Sequence, residues 1–151
     1  MVITSEEGLC SLDYQGYEER THRLLYKRFG LVQLAQRPRE SLALKAVRRY
    51  FSGELSAFDS VSLCLEGTDF QRRVWQELTR IPPGSTVSYH TIAKKIGKPG
   101  ASRAVGMANR SNPIALAIPC HRVIAASGAL GGYAGGADKK QWLLSHERTW
   151  V

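Results

Sequence analysis

The stretch YHTIAKKIGKPGASRAVGMANR, residues 89–110, decides how the larger part of this chain folds. It reads as two short helical segments, Tyr89 to Ile96 and Ala101 to Arg110, joined by Gly97-Lys98-Pro99-Gly100. Glycine and proline end the first segment because neither continues a helix at low cost. Two brief helices across so tight a turn form a helix-turn-helix pattern, and Lys94, Lys95, Lys98, Arg103 and Arg110 gather around the junction. Such pairs also serve as plain packing elements, so the pattern alone leaves nucleic-acid binding and simple packing both open.

Upstream, Thr68-Asp69-Phe70-Gln71 has the spacing of a capping box. The helix it opens carries Phe70, Val74, Trp75 and Leu78 on one face, and Ile81-Pro82-Pro83-Gly84 breaks it. Residues 67–151 therefore read as a mainly helical C-terminal domain with a helix-turn-helix. Residues 1–66 read as a small α/β domain, giving an α/β (α+β) chain overall. In that first domain Leu9 to Tyr14 alternates as a strand, and Tyr17 to Phe29 is an amphipathic helix stopped by Gly30. Leu31 to Gln36 is a strand candidate before Pro38. Leu42, Ala43, Ala46, Val47, Tyr50 and Phe51 recur at helical spacing up to Gly53, and Val61 to Leu65 is a short strand. The domain leaves little room for a full opening hairpin and reads as shortened.

The 151 residues are 43% hydrophobic, enough for a core, and the net charge of +8 with a pI near 9.7 suggests a polyanionic partner. No apolar run approaches the length of a membrane span. Met1 to Glu7 lacks the basic start and apolar stretch of a secretory signal, so the expected location is the cytosol, or the nucleus in a eukaryote. Cys10, Cys64 and Cys120 are too sparse for a disulfide framework and suit a reducing compartment. No Cys-x-x-Cys or His-x-x-x-His pair offers a zinc site, so no metal or other cofactor is expected. The glycine-rich stretch 128–136 is not followed by Gly-Lys-Ser/Thr, which excludes a P-loop.

Chemistry concentrates downstream of the helix pair. The apolar run Pro113 to Ile118 delivers Pro119-Cys120-His121-Arg122 into a buried place. A thiol becomes a good nucleophile when its pKa falls below about 8.5, which cationic neighbours or a helix N-terminus achieve. His121 and Arg122 follow directly, and Pro119 is suited to begin a helical turn. Most buried cysteines are inert, as Cys10 and Cys64 are expected to be, and the charged neighbours set Cys120 apart. Adjacent side chains do not face each other, so a water would relay the proton between Cys120 and His121. A third group would orient the histidine. Glu147 is the candidate, late in a helix that starts near Ala137 and carries Trp142, Leu143 and Leu144 on its apolar side. The competing reading makes Glu147 a solvated surface carboxylate.

Ile118-Pro119-Cys120-His121-Arg122-Val123, preceded by Arg103-Ala104-Val105-Gly106 and Asn112-Pro113, resembles the active-site region of the O6-alkylguanine-DNA alkyltransferases. The resemblance runs from about Thr68 to Glu147 and is looser in the N-terminal half. It implies that Cys120 attacks the alkyl carbon of the lesion, served by a His121–water–Glu147 relay. It implies a single, irreversible transfer per molecule and a monomer that binds double-stranded DNA containing O6-alkylguanine through the minor groove. Arg103 would fill the gap left by the flipped base, and Tyr89 would help expel the nucleotide and donate a proton toward guanine N3. Asn112 would buttress the turns before the active site, and a backbone N–H near Ala134 would point at O6. Lys98 and Gln71 complete the DNA-facing candidates. Many family members have Ser at the position of Ala134, and zinc ligands found in some have no equivalents here.

The chemistry explains these parts. Displacing guanine from saturated carbon needs an ionised thiol on one side and donors at O6 and N3 on the other. The lesion lies inside the duplex, so the base must be extruded at a cost of a few kcal/mol. Three rival readings remain at this level. A non-transferring binder of alkylated guanine would lack Cys120. A cysteine hydrolase would turn over and would not need Arg103 and Tyr89. A transcription regulator would use Cys120 as a redox sensor.

Overall fold

The computed structural model describes residues 1–36 and 40–151, so Pro38 lies outside the described residues. The chain opens with an antiparallel hairpin, β1 (Val2–Ser5) and β2 (Gly8–Leu12), with a register irregularity between Ile3 and Thr4. The hairpin is present, against the expectation that there was little room for one; a strand of four residues is enough to pair with β2. Helix α1 (Glu18–Phe29) follows and ends at Gly30, whose φ of 70° closes the last turn through its N–H to the Tyr26 carbonyl.

Two expected strands are not regular. Leu31 to Gln36 runs as irregular chain, and its apolar side chains are exposed instead of packed, Leu31 at 94%, Val32 at 45% and Leu34 at 46%. Val61 to Leu65 contributes a single parallel bridge, Leu63 to Leu9, rather than a strand. Helix α2 (Leu42–Phe51) begins at Ser41, whose Oγ accepts from the Leu44 N–H at 3.1 Å, and buries Ala43, Ala46 and Tyr50.

Helix α3 (Asp69–Leu78) carries both halves of its capping box: Thr68 Oγ1 accepts from Gln71 N–H, and Gln71 Oε1 accepts from Thr68 N–H. A two-residue strand, β3 (Val87–Ser88), leads into α4 (Tyr89–Lys95), N-capped by Ser88. Helix α5 (Ser102–Arg110) follows the turn around Gly97, and α3, α4 and α5 pack on one another. Trp75 holds α3 against α5 by donating its indole N–H to the Ala108 carbonyl at 3.0 Å. A 3₁₀ turn (Cys120–Arg122) leads into β4 (Val123–Ile124), which pairs in parallel with β3. The last helix, α6 (Ala137–Trp150), turns Lys140, Leu143, Leu144 and Glu147 inward. Trp142 does not share that face, contrary to expectation. It is 52% exposed and stacked on His146, because the spacing 140-143-144-147 selects the buried stripe and leaves 142 beside it.

Buried residues from both halves form one cluster, Leu9, Ala46 and Tyr50 among Trp75, Ile92, Ile118 and Leu143. The second edge of β2 meets the segment that precedes Cys120. Leu12 N–H donates to the Pro113 carbonyl at 3.0 Å, and Ala115 N–H donates to the Leu12 carbonyl at 2.8 Å. Arg20 on α1 ion-pairs with buried Asp13 and donates to the carbonyls of Arg110 (2.8 Å) and Asn112 (2.9 Å). The hairpin and α1 thus brace the chain between α5 and the cysteine. Within that chain Leu116 adopts a φ of 67°, a conformation costing a non-glycine residue on the order of 1 kcal/mol or more.

Candidate active site

Cys120 opens the 3₁₀ turn after Pro119, as the sequence suggested, and is buried at the foot of a cleft of about 910 Å³. Asn112 positions it. The amide Nδ2 donates to Cys120 Sγ at 3.0 Å and to the Ile118 carbonyl at 2.7 Å, while Oδ1 accepts from Ile114 N–H at 2.9 Å. All three contacts lie in a buried loop, so the Asn112 side chain buttresses the turns before the active site, as the resemblance implies, and is not presented to DNA.

The expectation that cationic neighbours would acidify the thiol is also overturned. Burial pushes the Cys120 pKa above its ordinary value, and the Asn112 N–H together with the Lys140 and Arg20 charges offsets this only in part. His121 cannot help as a cation, since burial lowers its pKa and outweighs the pull of Glu147, so the ring is neutral near pH 7. Arg122 turns its guanidinium away onto Glu147. The resting thiol is therefore protonated and needs a base.

A neutral histidine follows the thiol directly in sequence. His121 Nε2 lies 2.7 Å from Glu147 Oε1, with both side chains fully buried. Arg122 reaches the same carboxylate with Nη2 at 2.8 Å and Nε at 3.0 Å, and anchors itself by Nη1 to the Ile81 carbonyl at 2.5 Å. Tyr50 O–H donates to Oε1 at 2.7 Å and Gly84 N–H to Oε2 at 3.1 Å. Burial alone would raise the Glu147 pKa, but the His121 and Arg122 hydrogen bonds and charges reverse this and hold it well below the carboxylate range. Glu147 is an ionised interior group and not a surface one. With Nε2 committed as donor to that carboxylate, Nδ1 is the basic nitrogen of the neutral ring, and it has no protein hydrogen-bond partner among the described residues.

The cleft above Cys120 is lined by Tyr89, Arg103 and Ala134, three of the sequence-derived candidates. Tyr89 is half-buried, its phenol 3.4 Å from the Gly132 carbonyl, with its pKa raised by burial and by the nearby thiol. Arg103 is exposed at the start of α5. Two candidates lie elsewhere. Lys98 is exposed in the α4–α5 turn, outside the cleft lining. Gln71 is half-buried at the start of α3, outside the cleft lining, with Oε1 in the capping box and Nε2 donating to Ser111 Oγ at 3.0 Å.

Sequence reasoning missed several residues. Arg122 is the thiol's neighbour along the chain, but its partner in the fold is Glu147. Tyr50 and Gly84 carried no local sign of their contacts with that carboxylate. Tyr133, whose O–H is 2.8 Å from that of Tyr14, lines the cleft. Gly135 lets these two rings close in, because a Cβ there would sit 2.6 Å from the Tyr14 ring and 2.8 Å from that of Tyr133. Lys140 is fully buried and donates to the carbonyls of Val123 (2.6 Å) and Leu130, fastening α6 to the glycine-rich loop. Among the described residues no cluster of His, Cys, Asp and Glu could hold a metal ion, and no helix is long and apolar enough to cross a membrane.

Fold and site together define a class: a protein built around a buried cysteine nucleophile, served by a carboxylate-anchored neutral histidine and reached through a cationic cleft. Residues 69–149 match the profile of the family described as 6-O-methylguanine DNA methyltransferase, DNA binding domain. The methylated-DNA–protein-cysteine methyltransferase of Shigella flexneri is 44% identical over 150 residues, covering 97% of this chain and 87% of that protein. A crystal structure of Mycobacterium tuberculosis OGT in complex with DNA matches with a TM-score of 0.84 at 42% identity, covering 99% of this chain and 86% of that one. The O6-methylguanine-DNA methyltransferase from Pyrococcus kodakaraensis matches with a TM-score of 0.75 at 32% identity over 97% of this chain and 89% of that one. This chain belongs to the methylated-DNA–protein-cysteine methyltransferase family.

Proposed function

We propose that this chain repairs DNA by moving an alkyl group from O6 of a damaged guanine onto the sulfur of its own Cys120, once per molecule. The observation that carries this reading is a thiol held by Asn112 at the foot of the cleft, next in sequence to a neutral histidine anchored by Glu147. A water between Sγ and His121 Nδ1 passes the thiol proton to the ring, and the Glu147 carboxylate stabilises the imidazolium that forms. The sulfur lone pair forms a bond to the alkyl carbon while the carbon–O6 bond breaks and its electrons stay on guanine. Tyr89 is the donor that neutralises the departing base at N3, and a backbone N–H near Ala134 serves O6. The thioether product does not hydrolyse readily, so the protein is spent.

The partner is double-stranded DNA carrying O6-alkylguanine. Helices α4 and α5 act as a helix-turn-helix that enters the minor groove, and Arg103 occupies the space left by the extruded base. Residues 67–151 form the alkyltransferase unit, braced by the α/β unit of residues 1–66. The working unit is a monomer, as the resemblance implies. The three free cysteines support a cytosolic location.

Incubation with an O6-methylguanine duplex followed by intact-mass and peptide analysis tests the proposal. One methyl group on the Cys120 peptide, and no turnover beyond stoichiometry, is the expected result. Cys120→Ser should bind the duplex and transfer nothing. Transfer persisting in that variant, onto Cys10 or Cys64, would overturn the assignment.

A further inference from the structure

The cleft over Cys120 has two walls of different origin. Helix α5 supplies Arg103 and Arg110, and helix α1 supplies Arg20, Arg23 and Lys27, while among the described residues no Asp or Glu lines the space. Its 910 Å³ stands at the upper end of the ~300–1,000 Å³ typical of small-ligand sites, so it has room for more than a base. Residues 20, 23, 24 and 27 recur at i, i+3, i+4 and i+7, which puts them on one face of α1. Arg20 is committed to Asp13 and to the carbonyls of Arg110 and Asn112, and thereby sets α1 against the end of α5. Arg23 and Lys27 are exposed and make no ion pair among the described residues. The helix's own carboxylates, Glu18 and Glu19, sit in its first turn and line an adjoining surface depression that shares Arg20 and Arg23 with the cleft, and neither forms an ion pair with Arg23 among the described residues. Apart from Arg20, the cations around the cleft have no ion-pair partner among the described residues; they repel one another, and a polyanion entering the cleft relieves that repulsion.

We propose that α1 is a second DNA-gripping element, in which Arg23 and Lys27 hold backbone phosphates of the substrate duplex on the side of the cleft opposite Arg103. The N-terminal unit then does more than brace the active site. The inference rests on the repair reading above and extends it to a clamp with one jaw from each half of the chain. Arg103 acts at the vacated base position, while Arg23 and Lys27 act on the backbone and read no sequence.

The test is the salt dependence of duplex binding, measured by fluorescence anisotropy on the whole protein. Each phosphate contact contributes about 0.9 to the slope of log affinity against log salt. Arg23→Ala/Lys27→Ala should lower that slope by about 1.8, the loss of two contacts. Lys45→Ala/Arg148→Ala removes two exposed charges from α2 and α6 outside the cleft and should change the slope little. Alkyl transfer from free O6-benzylguanine, which needs no duplex, should proceed at the parent rate in both variants. A slope for the α1 variant equal to that of the parent or of the control overturns the clamp. An equal loss with free O6-benzylguanine also overturns it, since α1 would then shape the pocket. Failure of the unmodified protein to alkylate Cys120 from either substrate would refute the repair reading itself, a result separable from an unchanged slope.

Discussion

Replacing Glu147 by glutamine separates the chemistry of the site from its stability, because the carboxylate serves both. The amide keeps the volume but loses the charge, and it offers an N–H₂ where Tyr50, Gly84, His121 and Arg122 all present donors. Arg122 would remain buried without its counter-charge, and breaking one side of a buried ion pair costs about 3–5 kcal/mol. At ~2–4 °C per kcal/mol for a chain of this size, Tm should fall by roughly 6–20 °C. The sign with pH follows from the lowered carboxyl pKa. The stabilisation is complete above the ordinary value of 4.5 and is lost as pH falls toward the depressed one, so parent and variant should converge in acid.

The rate should fall as well, by roughly 100- to 10,000-fold at neutral pH, because the base His121 loses the carboxylate that fixes its tautomer and stabilises its imidazolium. The single-turnover deficit should shrink as pH rises toward the raised pKa of Cys120, since hydroxide then ionises the thiol without help. Stopped-time transfer from an O6-methylguanine duplex across pH, alongside thermal unfolding, reads both effects. Adding Arg122→Met to Glu147→Gln should recover part of the Tm by removing the orphaned charge, but none of the rate. A rate–pH profile that overlays the parent, or is lowered equally at every pH, would refute the relay. An unchanged Tm would refute the account of Arg122.

Arg103→Ala should slow repair of duplex DNA while sparing reaction with free O6-benzylguanine; equal losses on both would place Arg103 in the pocket or the fold instead of the extrusion step. Asn112→Ala strips Cys120 Sγ, the Ile118 carbonyl and the Ile114 N–H of their partner, at about 1–3 kcal/mol per buried group left unpaired. Its thiol should react more slowly with iodoacetamide at neutral pH, and an unaltered rate would rule out the positioning role. Lys140→Met should speed amide exchange in the 128–132 loop, because the Val123 and Leu130 carbonyls lose their donor. Burial depresses the Lys140 pKa to about 8 from 10.5, so the parent gains stability as pH rises between those values and the methionine variant should not. A parallel pH dependence in both proteins would contradict this.

The sequence by itself determined what depends on neighbours along the chain. The Thr68–Gln71 capping box, the Gly30 stop, the helix pair around Gly97 and the turn begun by Pro119 form where local signals placed them. So does the buried stripe of α3, since side-chain spacing and punctuation act within a few residues. The tertiary structure alone decided what depends on distant partners. Leu31–Gln36 is irregular and Leu63 makes a lone bridge, because alternation along the chain does not specify a pairing partner. The charge pattern of Cys120-His121-Arg122 pointed to an acidified thiol, yet burial raised its pKa and took Arg122 to a carboxylate 25 positions away. Tyr50 meets Glu147 across 97 positions, and Arg20 reaches the carbonyls of Arg110 and Asn112 across 90 and 92. A pKa is set by desolvation and by the charges and donors within a few ångströms, and those are chosen by packing. The residue types at the site were therefore legible along the chain, while their protonation states and partners were fixed only by folding.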